Sequence, residues 1–80
     1  MYRFIVPRAH GNVFQITIKA DSLQAAFAEY VAEHWDSDIE PAIAVWEYQF
    51  LVAQILPRYN FVKRDFEAIL FEIPPPTGGP

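Results

Sequence analysis

Residues 21–35, DSLQAAFAEYVAEHW, decide the fold class. The carboxylate of Asp21 predicts the N-cap of a helix, and Gln24 three residues later completes a capping box. At about 100° per residue, a single apolar stripe follows this helix; it comprises Leu23, Phe27, Tyr30 and His34, flanked by Ala26 and Val31. A helix with one apolar stripe needs one surface to pack against, and we expect the remaining chain to supply a β-sheet.

The segment before the helix predicts a β-hairpin. Residues 2–6 (YRFIV) and 13–19 (VFQITIK) are β-branched and aromatic with period-two alternation, and the PRAHGN segment between them has turn composition. In the second strand one side is polar and the other apolar, so we expect a half-buried antiparallel sheet whose core side carries Phe14, Ile16 and Ile18.

The segment after the helix is less clear. Residues 42–56 are compatible with a helix or a strand, and period-two alternation favours a strand over 43–50. Its aromatic row is expected to lie mainly in the core, with an exposed anchor on an edge strand as the alternative; the row is Trp46, Tyr48 and Phe50. Because Pro57 disfavours a ladder, LPRYN (56–60) predicts a connection.

A final strand is predicted over residues 65–73, with both faces largely buried. The complete prediction is an α+β fold of two layers, with one helix packed on an antiparallel sheet of about four strands in the order β-β-α-β-β. It forms a single domain over residues 1–73. Residues 74–80, PPPTGGP, predict a polyproline or disordered tail.

Composition restricts the function classes. Ten acidic against six basic residues give a net charge of −4, which disfavours direct binding to nucleic acid or anionic membranes. The chain has no cysteine, which excludes disulfides and thiolate metal sites and favours the cytoplasm. No run reaches the roughly 18 apolar residues of a membrane span, and the N-terminus has no signal-peptide core. We therefore expect a soluble cytoplasmic protein.

Sequence motifs for chemistry are weak. His34, Asp36 and His10 are the candidate metal or acid–base residues, but two-residue spacing on a helix points His34 and Asp36 to different sides. No cofactor, metal site or catalytic group is predicted. PRYNFVKR (57–64) interleaves bases and aromatics as nucleic-acid clamps do, yet three bases are few, and we expect a solvated loop.

The strongest functional signal is EYVAEHWDSDIEP (29–41), which holds five carboxylates and no lysine or arginine. On a helix Glu29 and Glu33 lie one turn apart and Asp36 is expected to continue the same edge, forming an exposed ridge. Acids in the last turn oppose the helix dipole by about 0.3–1 kcal/mol each. A solvated, solubilising face and a contact for a basic surface both remain open. Trp35, expected off the apolar stripe, suits the rim of such a contact.

A tiny, acidic, cysteine-free α+β chain with a hairpin, a helix bearing EYVAEHWDSDIE (29–40) and closing strands resembles the phage-encoded anti-CRISPR proteins, especially those aimed at type I Cascade complexes. The resemblance covers residues 1–73 in size and order of elements. It implies a non-enzymatic, stoichiometric inhibitor in the host cytoplasm that occupies a nucleic-acid-binding surface of the effector. It further implies partner-binding residues that meet Lys and Arg on the effector, with Trp35 adding apolar area: Glu29, Glu33, Asp36, Asp38 and Glu40.

Two other functions are weighed against this one. The alternative is a small phage or bacterial structural or assembly protein that homodimerises through an edge strand, with Trp46 or Phe71 in the seam. The least favoured hypothesis is a small enzyme that uses His34 and Asp36. The sequence leaves open whether the protein is a monomer or a homodimer.

Overall fold

The computed structural model describes residues 1–38 and 41–74 and confirms the α+β class, with one helix on one antiparallel sheet. The elements are β1 (Tyr2–Pro7), β2 (Val13–Ile18), α1 (Leu23–Glu33), β3 (Ile43–Glu47), β4 (Phe50–Asn60) and β5 (Asp65–Glu72), with a short 3-10 turn at Ala9–Gly11. The strands lie in the order β2-β1-β3-β4-β5. Of the predicted tail, only Pro74 falls within the described residues.

The sheet has five strands, so the predicted count of about four and the order β-β-α-β-β are wrong in detail: three strands follow the helix. The segment predicted as one strand, 43–50, is divided by a two-residue turn at Tyr48 and Gln49. Tyr48 has φ 54°, in the left-handed region that glycine and asparagine favour. Because neither residue type is present in this turn, composition gave no signal for it.

Pro57 lies inside β4, so the predicted connection at 56–60 is wrong. The N–H of Ile73 donates to the carbonyl of Val52 at 2.9 Å, which fixes the phase of the ladder between β4 and β5. Successive residues of a strand direct their backbone groups toward opposite neighbouring strands, so Pro57 directs its backbone nitrogen toward β3. β3 begins only at Ile43, opposite Ile55, so no ladder bond is lost there.

The same explanation holds for Pro7 at the end of β1. The N–H of Arg8 donates to the carbonyl of Asn12 at 2.7 Å, so Pro7 directs its nitrogen toward β3 as well. Its partner position on β3 precedes Ile43, where the strand has not begun. Two prolines therefore flank the start of the short strand β3 without breaking a hydrogen bond.

The core lies between α1 and the sheet face that it covers. The buried side chains alternate along β1, β3 and β4 and meet one residue of β2 and two of the helix: Tyr2, Phe4, Val6, Ile18, Ile43, Val45, Ala53 and Ile55 from the sheet, with Ala26 and Tyr30 from α1. The Tyr30 ring stacks on the Phe4 ring at 4.6 Å between centroids and 4° between planes. This stack joins the helix to the centre of the sheet. Among the described residues, no helix has the length and apolar character needed to cross a membrane.

β5 confirms the predicted final strand, but the expectation that both of its faces are largely buried is wrong, since none of its residues is buried. Its edge position explains this. The sheet face opposite α1, here the open face, carries partly exposed apolar side chains from four strands, including Ile5, Ala44, Trp46, Leu51, Leu56, Ile69 and Phe71. The polar Gln54 stands among them.

The N-cap of α1 is Ser22, whose hydroxyl accepts the N–H of Ala25 at 3.1 Å, so the predicted cap at Asp21 is wrong by one residue. Gln24 does not complete a capping box, because its side chain binds Glu72 instead. We expect Ser22→Ala to lower the free energy of unfolding by about 1 kcal/mol, measured by urea denaturation. Asp21→Ala is the matched control and should change it by less than about 0.5 kcal/mol; equal losses would contradict the assignment.

Candidate protein-binding site

Glu29 and Glu33 lie one turn apart on α1, and both are exposed. We call this pair the acidic flank. The other side of α1 faces β5, because Gln24 Nε2 donates to Glu72 Oε1 at 2.8 Å and Val31 lines a groove beside that strand. Two residues correspond to about 200° on a helix, so Glu29 points away from Val31 and from β5. The acidic flank therefore faces the β1–β2 side of the molecule.

The predicted continuation of the ridge to Asp36 is wrong, because α1 ends at Glu33. The backbone N–H groups of His34 and Trp35 both donate to the carbonyl of Tyr30, at 2.8 and 3.0 Å, and close the last turn. Asp36 lies beyond it, and its carboxylate accepts the N–H of Asp38 at 3.0 Å. These two aspartates are exposed in a loop turn, and Glu40 lies outside the described residues. The five-carboxylate ridge is thus a helical pair followed by a separate loop pair.

Trp35 is only partly exposed and packs against the core, so its predicted position off the apolar stripe is wrong, although it lines a small pocket with Asp36. It lines a groove between the end of α1 and the start of β5, together with Val31, Phe66 and Ala68. A helix continuing to Trp35 would have directed the indole away from the apolar stripe. Because α1 ends at Glu33, the ring can turn toward the core instead. Trp35 therefore anchors the loop that carries Asp36 and Asp38.

No basic side chain neutralises the acidic flank within the described ranges. The ion pair that these ranges contain joins Lys63 to Glu67 at 4.0 Å, on the β4–β5 hairpin and not on the acidic flank. The last turn of α1 contains no basic residue, so Glu33 stands unopposed near the negative end of the helix dipole.

His34 lines a small pocket together with Asp36, Arg8 and Tyr30, and His10 does not line it. His34 is the exposed C-cap of α1, and its ring lies 5.8 Å from the Tyr30 ring. It therefore lies beside the apolar stripe, at the boundary of the core. His10 is exposed in the 3-10 turn with φ 64°. Within residues 1–38 and 41–74, no three His, Cys, Asp or Glu side chains lie together in a way that could hold a metal ion.

Two tyrosines have shifted pKa values. Burial raises the pKa of Tyr30, an effect partly opposed by the nearby Arg8 guanidinium. Burial also raises the pKa of Tyr2, and the Glu47 carboxylate raises it further through its charge and a hydrogen bond. Both phenols therefore keep their protons throughout the neutral pH range. They are neutral core residues rather than candidate acids or bases.

The aromatic row is not in the core, contrary to the sequence prediction. Trp46 is partly exposed on the open face, Tyr48 is 73% exposed in the turn, and Phe50 is 60% exposed where β4 starts. Trp46 faces the open side because it alternates with the buried Val45, and the turn at residues 48–49 leaves Tyr48 and Phe50 at the end of the sheet.

The tip of the β4–β5 hairpin exposes two large apolar side chains, whereas the sequence predicts only a solvated loop there. Phe61 and Val62 are 84% and 94% exposed. Asn60 Oδ1 accepts the N–H groups of Val62 and Lys63, each at 3.0 Å, and fixes the turn. An asparagine followed by four residues and an aspartate is a recognisable turn signal that could have revealed this hairpin.

Comparison of this chain with protein-family models, with curated proteins and with solved structures found no match.

Proposed function

We propose that this protein acts by binding, without catalysis, to a basic surface of another protein. The surface is one that otherwise binds nucleic acid, so the protein is an inhibitor of the anti-CRISPR type. The observation that carries the proposal is the acidic flank: Glu29 and Glu33 are exposed, adjacent and free of an ion pair in the described part of the chain. Asp36 and Asp38 extend the negative surface along the following loop.

The spacing of the acidic flank suits a phosphate-binding surface. Four helical residues rise about 6 Å along the axis. Alternate phosphates of one DNA strand lie about 7 Å apart along the duplex axis, since successive ones are separated by about 3.4 Å. Basic side chains placed to contact alternate phosphates are therefore at a suitable distance to contact Glu29 and Glu33. Carboxylates held on a helix lose less freedom on binding than carboxylates on a mobile chain.

Charge also supports the proposal on kinetic grounds. The net charge of −4 attracts the chain to a basic surface before contact. At physiological salt this attraction extends over about 8 Å. Arg58, Lys63 and Arg64 lie on the hairpin next to β5, on the other side of α1 from the acidic flank. Arg8 lies nearer, in a small pocket that His34 and Asp36 also line, but among the described residues it forms no ion pair with Glu29 or Glu33.

The structure alters the predicted contact in one respect. Trp35 packs inward, so the proposed contact consists of the acidic flank with Asp36 and Asp38. Trp35 contributes by holding the loop against the core.

The test measures displacement of fluorescent target DNA from a purified type I Cascade complex by fluorescence anisotropy. The wild-type protein should displace the DNA, and raising the salt from about 50 to 200 mM should weaken this inhibition. The double substitution Glu29→Lys and Glu33→Lys should weaken it at least about tenfold, because like charges then face each other across the contact.

The matched control is Asp21→Lys with Asp65→Lys, which changes the net charge equally at two exposed positions away from the acidic flank. This variant should retain most of the inhibition. An equal loss of inhibition in both variants would mean that inhibition depends on overall net charge, and it would contradict a binding site at the acidic flank. Failure of the wild-type protein to displace the DNA would contradict the anti-CRISPR type of action.

A further inference from the structure

The outer edge of β5 has unpaired backbone groups whose positions follow from the ladder. Because Ile73 donates its N–H to Val52, the odd-numbered residues of β5 direct their backbone groups toward β4. The even-numbered residues direct theirs outward, where no strand of the described chain lies: Phe66, Ala68, Leu70 and Glu72. β5 is eight residues long and contains no proline, lysine or bulge of the kind that normally protects an edge.

We propose that β5 pairs antiparallel with β5 of a second copy of this chain, around a two-fold axis at Ala68, so that the two sheets become one. Only outward-directed residues can form the new ladder, so even-numbered residues stand opposite even-numbered ones. In this register Phe66 faces Leu70 of the second copy, and Ala68 faces its own equivalent.

Packing on the helix side of the sheet selects this register over its neighbour. A two-fold axis at Ile69 would put the Phe66 ring opposite the Glu72 carboxylate. With the axis at Ala68, Phe66 faces Leu70 on the helix side, while on the open face Asp65 lies opposite Phe71 and Glu67 opposite Ile69. Apolar pairs of the first kind stabilise adjacent antiparallel strands.

The side chains beside this edge also favour a second copy. The groove lined by Val31, Trp35, Phe66 and Ala68 lies along β5 on the helix side of the sheet. A two-fold axis perpendicular to the sheet puts both helices on the same face, so Leu70 of the second copy approaches the mouth of this groove. The acidic flank points the other way and stays uncovered, so the proposed function and this inference can fail independently.

The size of the contact indicates a weak dimer. Eight strand residues extend about 27 Å. With a height of about 15–20 Å for the sheet and part of the helix, the seam covers roughly 400–500 Å² on each copy. Stable interfaces use about 800 Å² on each partner, so the dimer should form only at raised protein concentration. β-Strand addition supplies main-chain hydrogen bonds that partly offset the small area.

The test is sedimentation velocity from about 10 µM to 1 mM protein, the range in which weak dimers dissociate. The mass should rise from 9.2 kDa toward twice that value. Ala68→Pro removes an outward N–H that the monomer does not use, so the variant should stay folded and monomeric. The matched control is Gln15→Pro on β2, the other edge, where the bond from Arg8 to Asn12 directs odd-numbered residues outward. This control should dimerise like the wild type.

A wild-type mass of 9.2 kDa at every concentration would overturn the proposal. So would a dimer that Gln15→Pro disrupts and Ala68→Pro does not.

Discussion

Replacing Tyr30 with alanine is expected to lower the free energy of unfolding by about 3–5 kcal/mol. Tyr30 is 2% exposed, and its ring stacks on Phe4 at the centre of the contact between helix and sheet. A chain of 80 residues has about 4–12 kcal/mol of stability in total. The variant should therefore be largely unfolded or melt at least about 12 °C below the wild type, as measured by circular dichroism.

The control for this prediction is Tyr30→Phe, which keeps the ring and its stack on Phe4. It should lose less than about 1.5 kcal/mol, the contribution of a hydrogen-bonding group. A Tyr30→Ala protein that melts within a few degrees of the wild type would show that α1 is not held to the sheet through this stack.

Ile55→Ala is expected to lower the free energy of unfolding by about 2–5 kcal/mol, because it opens a cavity in a fully buried part of the core. Ile55 lies on the helix side of β4, opposite Ile43 on β3 and Leu70 on β5. Its neighbours belong to three strands of one sheet and cannot close around the missing atoms without shifting the ladder. Urea denaturation with a constant m-value would measure this loss.

Leu56→Ala is the matched control on the open face. Leu56 is the next residue along β4 and is only partly buried, so its truncation should lose about 1 kcal/mol. The comparison measures the difference between the two faces of the sheet. Equal losses at both positions would mean that the open face is covered in solution, and the measurement repeated at low protein concentration would identify a second copy as the cover.

Much of the fold is predictable from periodicity. The first hairpin and the start of the helix at Leu23 follow from apolar periods of 2 and 3.6 residues, whereas the predicted helix runs two residues past its end at Glu33. The division between β3 and β4 was not predictable, because a tyrosine holds the left-handed position where glycine or asparagine is expected. Pro57 misled the prediction in the opposite direction, since whether a proline breaks a strand depends on where the neighbouring strand begins.

The candidate site was predictable only where helical phase applies. Glu29 and Glu33 were placed correctly as an exposed, adjacent pair. Asp36 and Trp35 were misplaced, because the end of α1 has no glycine or asparagine in its sequence and is closed instead by two N–H groups that share the Tyr30 carbonyl. Which edge of the sheet is unprotected depends on strand order, which a single sequence does not reveal.

The late start of β3 has a consequence for motion. Beyond Ile55, β4 is paired with β5 alone, so its last residues and the first residues of β5 form a two-stranded ribbon that extends past the rest of the sheet. Isolated two-stranded ribbons are marginally stable in water, and segments with few buried contacts open first. Aromatic contacts of Tyr59 with Phe61 and Phe66, each at 5.0 Å between ring centroids, hold this ribbon together. Its tip, which carries Phe61 and Val62, is therefore the part of the sheet that we expect to open first.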